Sequence, residues 1–124
     1  LPPQEYLNSC GGRNLYDRLM KLWYVYILSN KPNGTLYIGV TDNIEERVKE
    51  HKMKLYSTSF TSRYNCDKLI YFEEFENDQE AMIREKRLKK WKREWKVKLI
   101  ETMNPGWMDL SMNWSLNYIK FRIN

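Results

Sequence analysis

The 124-residue chain has the length of one ordinary domain, and its 42% hydrophobic content is enough to bury a core without disulfides. Lys and Arg total 21 against 16 Asp and Glu, and the net charge of +5 favours polyanionic partners such as nucleic acid. No run approaches the roughly 20 apolar residues of a membrane span, and no basic-then-apolar signal peptide opens the chain. We therefore expect a soluble, cytoplasmic, single-domain protein with no membrane partner.

Residue types that bind soft metals are scarce. Cys10 and Cys66 lie far apart and form no CxxC pair, so the sequence predicts neither a disulfide framework nor a zinc site. His51 is the only histidine, so any metal ion would have to be held by oxygen ligands. Such a site favours Mg²⁺ or Mn²⁺.

The N-terminal residues 1–19 contain Pro-Pro and Gly-Gly pairs without sustained periodicity, which is typical of an irregular extension. Met20 directly precedes a strong strand pattern and is a candidate natural start. We expect one domain over residues 20–111 and a C-terminal tail over residues 112–124.

Two segments rich in aromatic and β-branched residues, 23–28 and 35–40, are joined by turn formers and predict a β-hairpin. Because side chains alternate along a strand, Tyr26 and Tyr37 are expected on the sheet face opposite the aliphatic core. Gly39 shares that face, and a glycine within a strand indicates close approach of other atoms, for which a phosphate backbone is one candidate. Strand tyrosines that pack only by their rings are the alternative that this pattern alone favours.

A capping box at Asp42 predicts a short helix from there to about Met53, anchored by Ile44. Arg47 and His51 stand four residues apart, so both are expected on one face, pointing away from the core. Their donors could converge on one anion. A solvated basic face is the alternative that spacing alone favours.

Residues 54–67 show no period and predict a loop, and residues 68–75 predict a third strand. Asn77 then caps a single long helix that ends before Pro105. Its apolar stripe recurs at spacings of seven, three, four and four residues: Ala81, Leu88, Trp91, Trp95 and Leu99. The order β-β-α-β-α predicts an α/β (α+β) fold with a small three-stranded, mainly antiparallel sheet flanked by helices.

Glu85 interrupts this stripe, four residues after Ala81 and three before Leu88. A buried carboxylate is costly unless it meets a cation, either a metal ion or an arginine. A glutamate that reaches solvent or pairs with Arg47 is an alternative of equal weight.

A basic run surrounds Glu85 and is expected on the solvent side of the helix, where it could follow phosphates. Trp91 and Trp95 lie within this run and are expected in the core rather than as base-stacking platforms. The basic residues that we predict to contact nucleic acid are Arg84, Lys86, Arg87, Lys89 and Lys90.

Taken together, these residues resemble the GIY-YIG nucleases, and within them the small stand-alone bacterial proteins related to the nuclease domain of the excision-repair incision subunit. Tyr24-Val25-Tyr26 stands at the GIY position, and Tyr37-Ile38-Gly39 is a literal YIG. Arg47 lies ten residues after Tyr37, and His51 completes an R-x-x-x-H arrangement. Glu85 is the last residue of an EA-x-x-x-E motif in the long predicted helix. The likeness runs from about residue 22 to 111. Tyr24 departs from the family pattern, since it replaces the glycine of GIY.

The resemblance implies a metal-dependent endonuclease that hydrolyses phosphodiester bonds in DNA, guided by substrate structure or backbone, with repair or recombination as candidate roles. It implies that Glu85 holds a single Mg²⁺ or Mn²⁺ and that Arg47 contacts the non-bridging oxygens. One of Tyr26 and Tyr37 would activate water, and His51 would be a proton shuttle, a phosphate contact or a structural residue. Gly39 joins the predicted nucleic-acid contacts.

Two other functions stay open at this point. The first is a catalytically weak nucleic-acid-binding module with the same fold, and the second is an adaptor that binds an acidic protein partner through its basic surface. RNA as substrate, a targeting partner and the oligomeric state are likewise left open by the sequence.

Overall fold

The computed structural model describes residues 21–54, 59–112 and 114. The predictions for the N-terminal extension, the start at Met20 and most of the C-terminal tail lie outside these residues. In chain order the described elements are β1 (Trp23–Ser29), β2 (Leu36–Thr41), α1 (Ile44–Lys52), α2 (Phe60–Arg63), β3 (Lys68–Phe75), α3 (Asp78–Lys90) and α4 (Arg93–Met103).

The three strands form one antiparallel sheet in the order β2-β1-β3. In β1, Tyr26 lies opposite Gly39 of β2 and Phe72 of β3. The register between β1 and β3 shifts after Ile27, which leaves Ile70 as the bulged residue of β3. The predicted hairpin, third strand and α+β fold are confirmed.

One face of the sheet, here called the tyrosine face, carries Tyr24, Tyr26 and Leu28 of β1. These side chains pack with Ile44 and Val48 of α1 in one buried cluster. Tyr26 and Tyr37 share this face as predicted. The face is nevertheless a second core rather than an open surface, because α1 covers it.

The opposite face, here called the aliphatic face, carries Val25 and Ile27 of β1 and Ile38 of β2. Leu88 of α3 and Ile100 of α4 cover them, and all five side chains are buried. The central strand β1 is therefore buried on both sides, which explains why its sequence is almost continuously apolar or aromatic.

Two local predictions are corrected. Helix α1 is capped by Asn43 rather than Asp42: the Asn43 side chain accepts a hydrogen bond from the Glu46 amide at 3.3 Å. The cap lies one residue later because β2 continues as far as Thr41. The predicted loop over residues 54–67 contains α2, which begins because Ser59 accepts a hydrogen bond from the Ser62 amide at 3.3 Å.

The predicted single long helix is two helices. Trp91 and Lys92 adopt extended backbone, each with ψ of 148°, and this breaks the chain between α3 and α4. The break redirects the apolar stripe, so Ile100 rather than Trp95 enters the core. Trp95 is 51% exposed, which contradicts its predicted core position, whereas Trp91 is partly buried against the aliphatic face.

The segment after α4 lies against the beginning of β3 and hydrogen-bonds to Leu69. The Leu110 amide donates to the Leu69 carbonyl at 2.7 Å, and Asp109 Oδ1 accepts from the Leu69 amide at 3.2 Å. Lys52 Nζ holds Asp109 Oδ2 at 2.6 Å, and Trp114 packs into the cluster on the tyrosine face. Within the part of the chain that the structure describes, no helix is long and apolar enough to cross a membrane.

Candidate active site

A cleft of about 340 Å³ opens between β2, α1 and α2. It brings together three of the predicted catalytic residues, Tyr37, Arg47 and His51, with Ser59, Phe60 and Thr61 completing its lining. A larger cleft of about 540 Å³ lies between β3 and α4 and contains none of the predicted site residues. The smaller cleft is therefore the candidate active site.

Helix α1 positions Arg47 and His51 differently. His51 follows Ile44 and Val48 on the buried side of the helix and is only 8% exposed, so the prediction that it points away from the core is wrong. The spacing from Ile44 to His51 is two helical turns, which brings both residues to the same side. Arg47 lies at the rim, where its Nη1 donates to Glu50 Oε1 at 2.9 Å and about a third of its side chain stays exposed.

His51 is the centre of a buried hydrogen-bonded chain. Its Nε2 lies 3.1 Å from Tyr26 Oη, and its Nδ1 lies 2.9 Å from Thr61 Oγ1. Ser59 Oγ extends the chain, 3.2 Å from Thr61 Oγ1. Burial and, to a smaller extent, the nearby Arg47 charge lower the pKa of His51 to about 4, with Glu50 opposing them only in part, so the imidazole is neutral at pH 7. One ring nitrogen then donates and the other accepts.

The two tyrosines hold different positions relative to the cleft. Tyr37 lines it, whereas Tyr26 lies behind it and is 1% exposed. Burial and the neighbouring Tyr37 raise the pKa of the Tyr26 phenol, and Arg47 opposes that rise only in part. Burial would lower the pKa of Arg47, but the hydrogen bond to Glu50 and the proximity of Tyr26 raise it instead. The site thus combines a buried, neutral Tyr26 phenol with a permanent positive charge on Arg47.

The side chain of Tyr26 explains why position 39 is a glycine. A Cβ at this position would lie 2.5 Å from Tyr26 Oη and 2.6 Å from Tyr26 Cζ, much closer than atoms can pack. The ring of Tyr26 therefore lies across the backbone of its cross-strand partner. The close approach that the glycine indicated is made by Tyr26, and Gly39 is buried beneath it.

Glu85 is not among the residues that line the cleft. It lies on α3, which packs on the aliphatic face, and its side chain is 16% exposed. Glu85 Oε2 forms an ion pair with Lys89 Nζ at 3.4 Å, one helical turn away. The half-buried carboxylate thus has a cation beside it, but that cation is a lysine of its own helix rather than the arginine or metal ion that the sequence predicts.

The basic run of α3 divides into two parts. Arg84 donates to Glu73 through Nε at 2.9 Å and Nη2 at 2.8 Å, and its Cζ lies 5.1 Å from the ring centroid of Trp91. Its guanidinium thus joins α3 to β3. The exposed members of the run, which we call the basic strip, are Lys86, Arg87, Lys89 and Lys90.

Three residues of the cleft escaped the sequence analysis: Ser59, Phe60 and Thr61. They lie in the segment interpreted as a loop. A serine directly before an aromatic residue is a helix-start signal, and it could have revealed α2 and hence this wall of the cleft.

Comparison with known proteins identifies the same part of the chain. Residues 22–98 match the family model described as the GIY-YIG catalytic domain. A UPF0213 protein of Clostridium perfringens is 43% identical over 79 residues, covering 64% of this chain and 83% of the relative. A UPF0213 protein of Desulfotalea psychrophila is 32% identical over 98 residues, covering 79% and 86%. The solution NMR structure of a UPF0213 protein from Bacillus halodurans is 26% identical with a TM-score of 0.46, covering 76% and 97%.

Proposed function

Because this chain belongs to the GIY-YIG catalytic-domain family, we propose that it is a metal-dependent endonuclease that hydrolyses phosphodiester bonds in DNA. The observation that carries the proposal is the cleft in which Tyr37, Arg47 and His51 meet in front of Tyr26. One small domain offers little room for reading a sequence, so selection by substrate structure or backbone is favoured, with repair or recombination as the role.

Phosphodiester hydrolysis needs an activated water and neutralised charge on the phosphoryl oxygens. Arg47 supplies the charge at the rim of the cleft. Its planar guanidinium can give two parallel hydrogen bonds to non-bridging oxygens, which a lysine cannot reproduce. The ion pair with Glu50 holds the fork in place while a third of the side chain stays open to a ligand.

Tyr37 is the phenol that can touch the attacking water, because it lines the cleft and Tyr26 does not. Behind it, the tautomer of His51 that donates Nδ1–H to Thr61 leaves Nε2 free to accept the proton of Tyr26 Oη. Neutral His51, which itself lines the cleft, therefore offers Nε2 as a proton acceptor to the Tyr26 phenol. In this proposal Tyr26 and Thr61 orient His51, and Tyr37 orients the attacking water through its phenolic oxygen.

Glu85 is the proposed ligand of a single Mg²⁺ or Mn²⁺. Its half-buried carboxylate is held only loosely by Lys89 at 3.4 Å. Among the described residues, no group of three or more His, Cys, Asp or Glu side chains could hold a metal ion, so an ion at Glu85 would have one protein carboxylate and would be completed by water. Such an ion would neutralise charge on the leaving oxygen of a substrate that extends from the cleft to Glu85, which lies outside the cleft lining.

The test is cleavage of labelled duplex, single-stranded and branched DNA with Mg²⁺, Mn²⁺ or EDTA. We expect metal-dependent cutting that falls by about 100-fold or more in Glu85→Gln and in Arg47→Ala. Glu94→Gln and Lys49→Ala are the matched controls, because both residues are exposed and lie outside the cleft. Both controls should cut at close to the original rate.

Two outcomes would replace the proposal. Salt-sensitive binding without cutting on any substrate would support a nucleic-acid-binding module that uses the basic strip. The absence of any nucleic-acid affinity would favour the protein adaptor.

A further inference from the structure

A row of aromatic rings leads from the cleft to the surface. The ring centroids of Tyr37 and Phe60 are 6.1 Å apart with planes inclined by 30°, and those of Phe60 and Tyr64 are 4.6 Å apart with planes inclined by 37°. Phe60 lines the cleft, yet it is 44% exposed, and Tyr64 is 45% exposed. The row therefore begins inside the candidate active site and ends in solvent.

The single turn of α2 creates this arrangement. The Tyr64 amide donates to the Phe60 carbonyl at 3.1 Å, so the two residues lie four apart on one side of the turn. Arg63 is exposed, and its Cζ lies 6.0 Å from the Tyr64 ring centroid. Two exposed rings beside an arginine combine a surface for stacking bases with a charge for the adjoining phosphate.

We propose that Phe60 and Tyr64 form a stacking platform for an unpaired nucleobase beside the phosphate held in the cleft. Bases within a duplex stack on each other and hide their ring faces, so only an unpaired base can lie on the platform. The substrate class is therefore a strand with unpaired nucleotides, single or at a flap or gap. The inference rests on the proposed function, since it requires the cleft to hold a phosphodiester.

The first experiment measures equilibrium binding of the full chain to a fluorescein-labelled DNA strand by anisotropy in EDTA, where no cleavage occurs. Phe60→Leu and Tyr64→Leu keep apolar bulk but remove the flat ring, and each should weaken binding about tenfold. Tyr64→Phe keeps the ring and should bind within about twofold of the unaltered chain. Met108→Ala is the control, because Met108 is 67% exposed and lies outside the cleft lining. A blunt duplex of the same sequence should not distinguish these variants.

The second experiment moves one abasic nucleotide along the strand. At one position, the abasic strand should bind the unaltered chain about tenfold more weakly than the intact strand does. The Tyr64→Leu variant has no ring at the platform, so it should bind the abasic strand and the intact strand equally well. Equal affinity of the leucine variants and the unaltered chain for the single strand, with circular dichroism showing both folded, would overturn the proposal. Equal losses on single strand and duplex would also overturn it. A parallel RNA strand shows which sugar the site accepts.

The two proposals fail separately. If no substrate is cut but the leucine variants lose affinity for single strands, the nuclease proposal fails and the platform stands. If all substrates are cut at rates that Phe60→Leu and Tyr64→Leu leave unchanged, the platform fails and the nuclease stands.

Discussion

The tyrosine face and the aliphatic face are both buried, but they bury different kinds of side chain. The tyrosine face encloses a hydrogen-bonded chain of Tyr26, His51 and Thr61. The aliphatic face is filled by residues such as Val25 and Leu88, and its ion pairs lie at the rim. The core of the tyrosine face therefore contains groups suited to proton exchange, whereas the core of the aliphatic face is built mainly from apolar contacts. This difference predicts that substitutions on the two faces will differ in kind.

The largest loss of stability should follow Leu88→Ala on the aliphatic face. Leu88 is 0% exposed, and truncating a fully buried leucine costs about 2 to 5 kcal/mol of unfolding free energy. Urea unfolding measures that cost, while cleavage per folded molecule should stay near its original value. Ile83→Ala is the matched control on the same helix, since Ile83 is 50% exposed, and it should cost much less. Equal losses of unfolding free energy in Leu88→Ala and Ile83→Ala would contradict the assignment of Leu88 to the core of the aliphatic face.

Acid should destabilise the protein through the tyrosine face. The pKa of His51 is lowered from 6.5 to about 4 by burial and by Arg47, so the unfolded chain binds the extra proton first as pH falls. The stability contributed by neutral His51 is complete above about pH 6.5 and is lost as pH falls toward 4, by up to about 3 kcal/mol. A His51→Gln variant should lack this dependence. His51 is the only histidine, so a single NMR imidazole titration near pH 6.5 would contradict the prediction.

Gly39→Ala should damage the tyrosine face without creating a cavity. The added methyl group would meet Tyr26 Oη at 2.5 Å, so the ring must move away from His51 at a cost of about 1 to 3 kcal/mol. Thermal unfolding measures the loss. In a Tyr26→Ala background the ring is absent and the same substitution should cost much less. An undiminished cost there would mean that the glycine is needed for some other reason.

Thr61→Val should have the smallest effect of the four. The substitution keeps the shape but leaves His51 Nδ1 without its partner at 2.9 Å, which costs about 1 to 3 kcal/mol, toward the low end if water enters from the cleft. Thr61→Ser keeps the hydroxyl and should retain more of the stability. If valine and serine prove equivalent in urea unfolding, the hydrogen bond contributes nothing.

The sheet was predictable because its strands are rich in aromatic and β-branched residues and the first two are joined by turn formers. The inward position of His51 was also predictable, because His51 lies seven residues after Ile44 and therefore on the same side of the helix. The expectation that a polar side chain faces solvent gave the wrong result for His51. The break between α3 and α4 at Trp91 was not predictable from the sequence. No glycine or proline marks it, and the apolar spacing continues across it.

The candidate site was predicted only in part, because its residues come from elements that meet through tertiary packing. Tyr37 and Arg47 were found through their sequence motif, and the structure brings both to one cleft. Thr61 and Phe60 lie in a polar segment without period, so only the fold reveals them. The ion pair of Glu85 with Lys89 follows from a helical spacing of four residues, although Arg47 is the partner that the sequence suggests.

The segment after α4, which packs against β3, distinguishes two boundaries that are usually treated as one. These are the end of the family model and the end of the folded core. Similarity to the family model stops at residue 98, whereas Ile100, Trp107 and Trp114 are still core residues and Leu110 still pairs with β3. The family model is thus shorter than the unit that folds. A chain shortened to residue 98 would keep every motif residue and yet leave the Leu69 amide and carbonyl without the partners that Asp109 and Leu110 give them, and an unpaired strand edge is the kind of surface through which sheets aggregate.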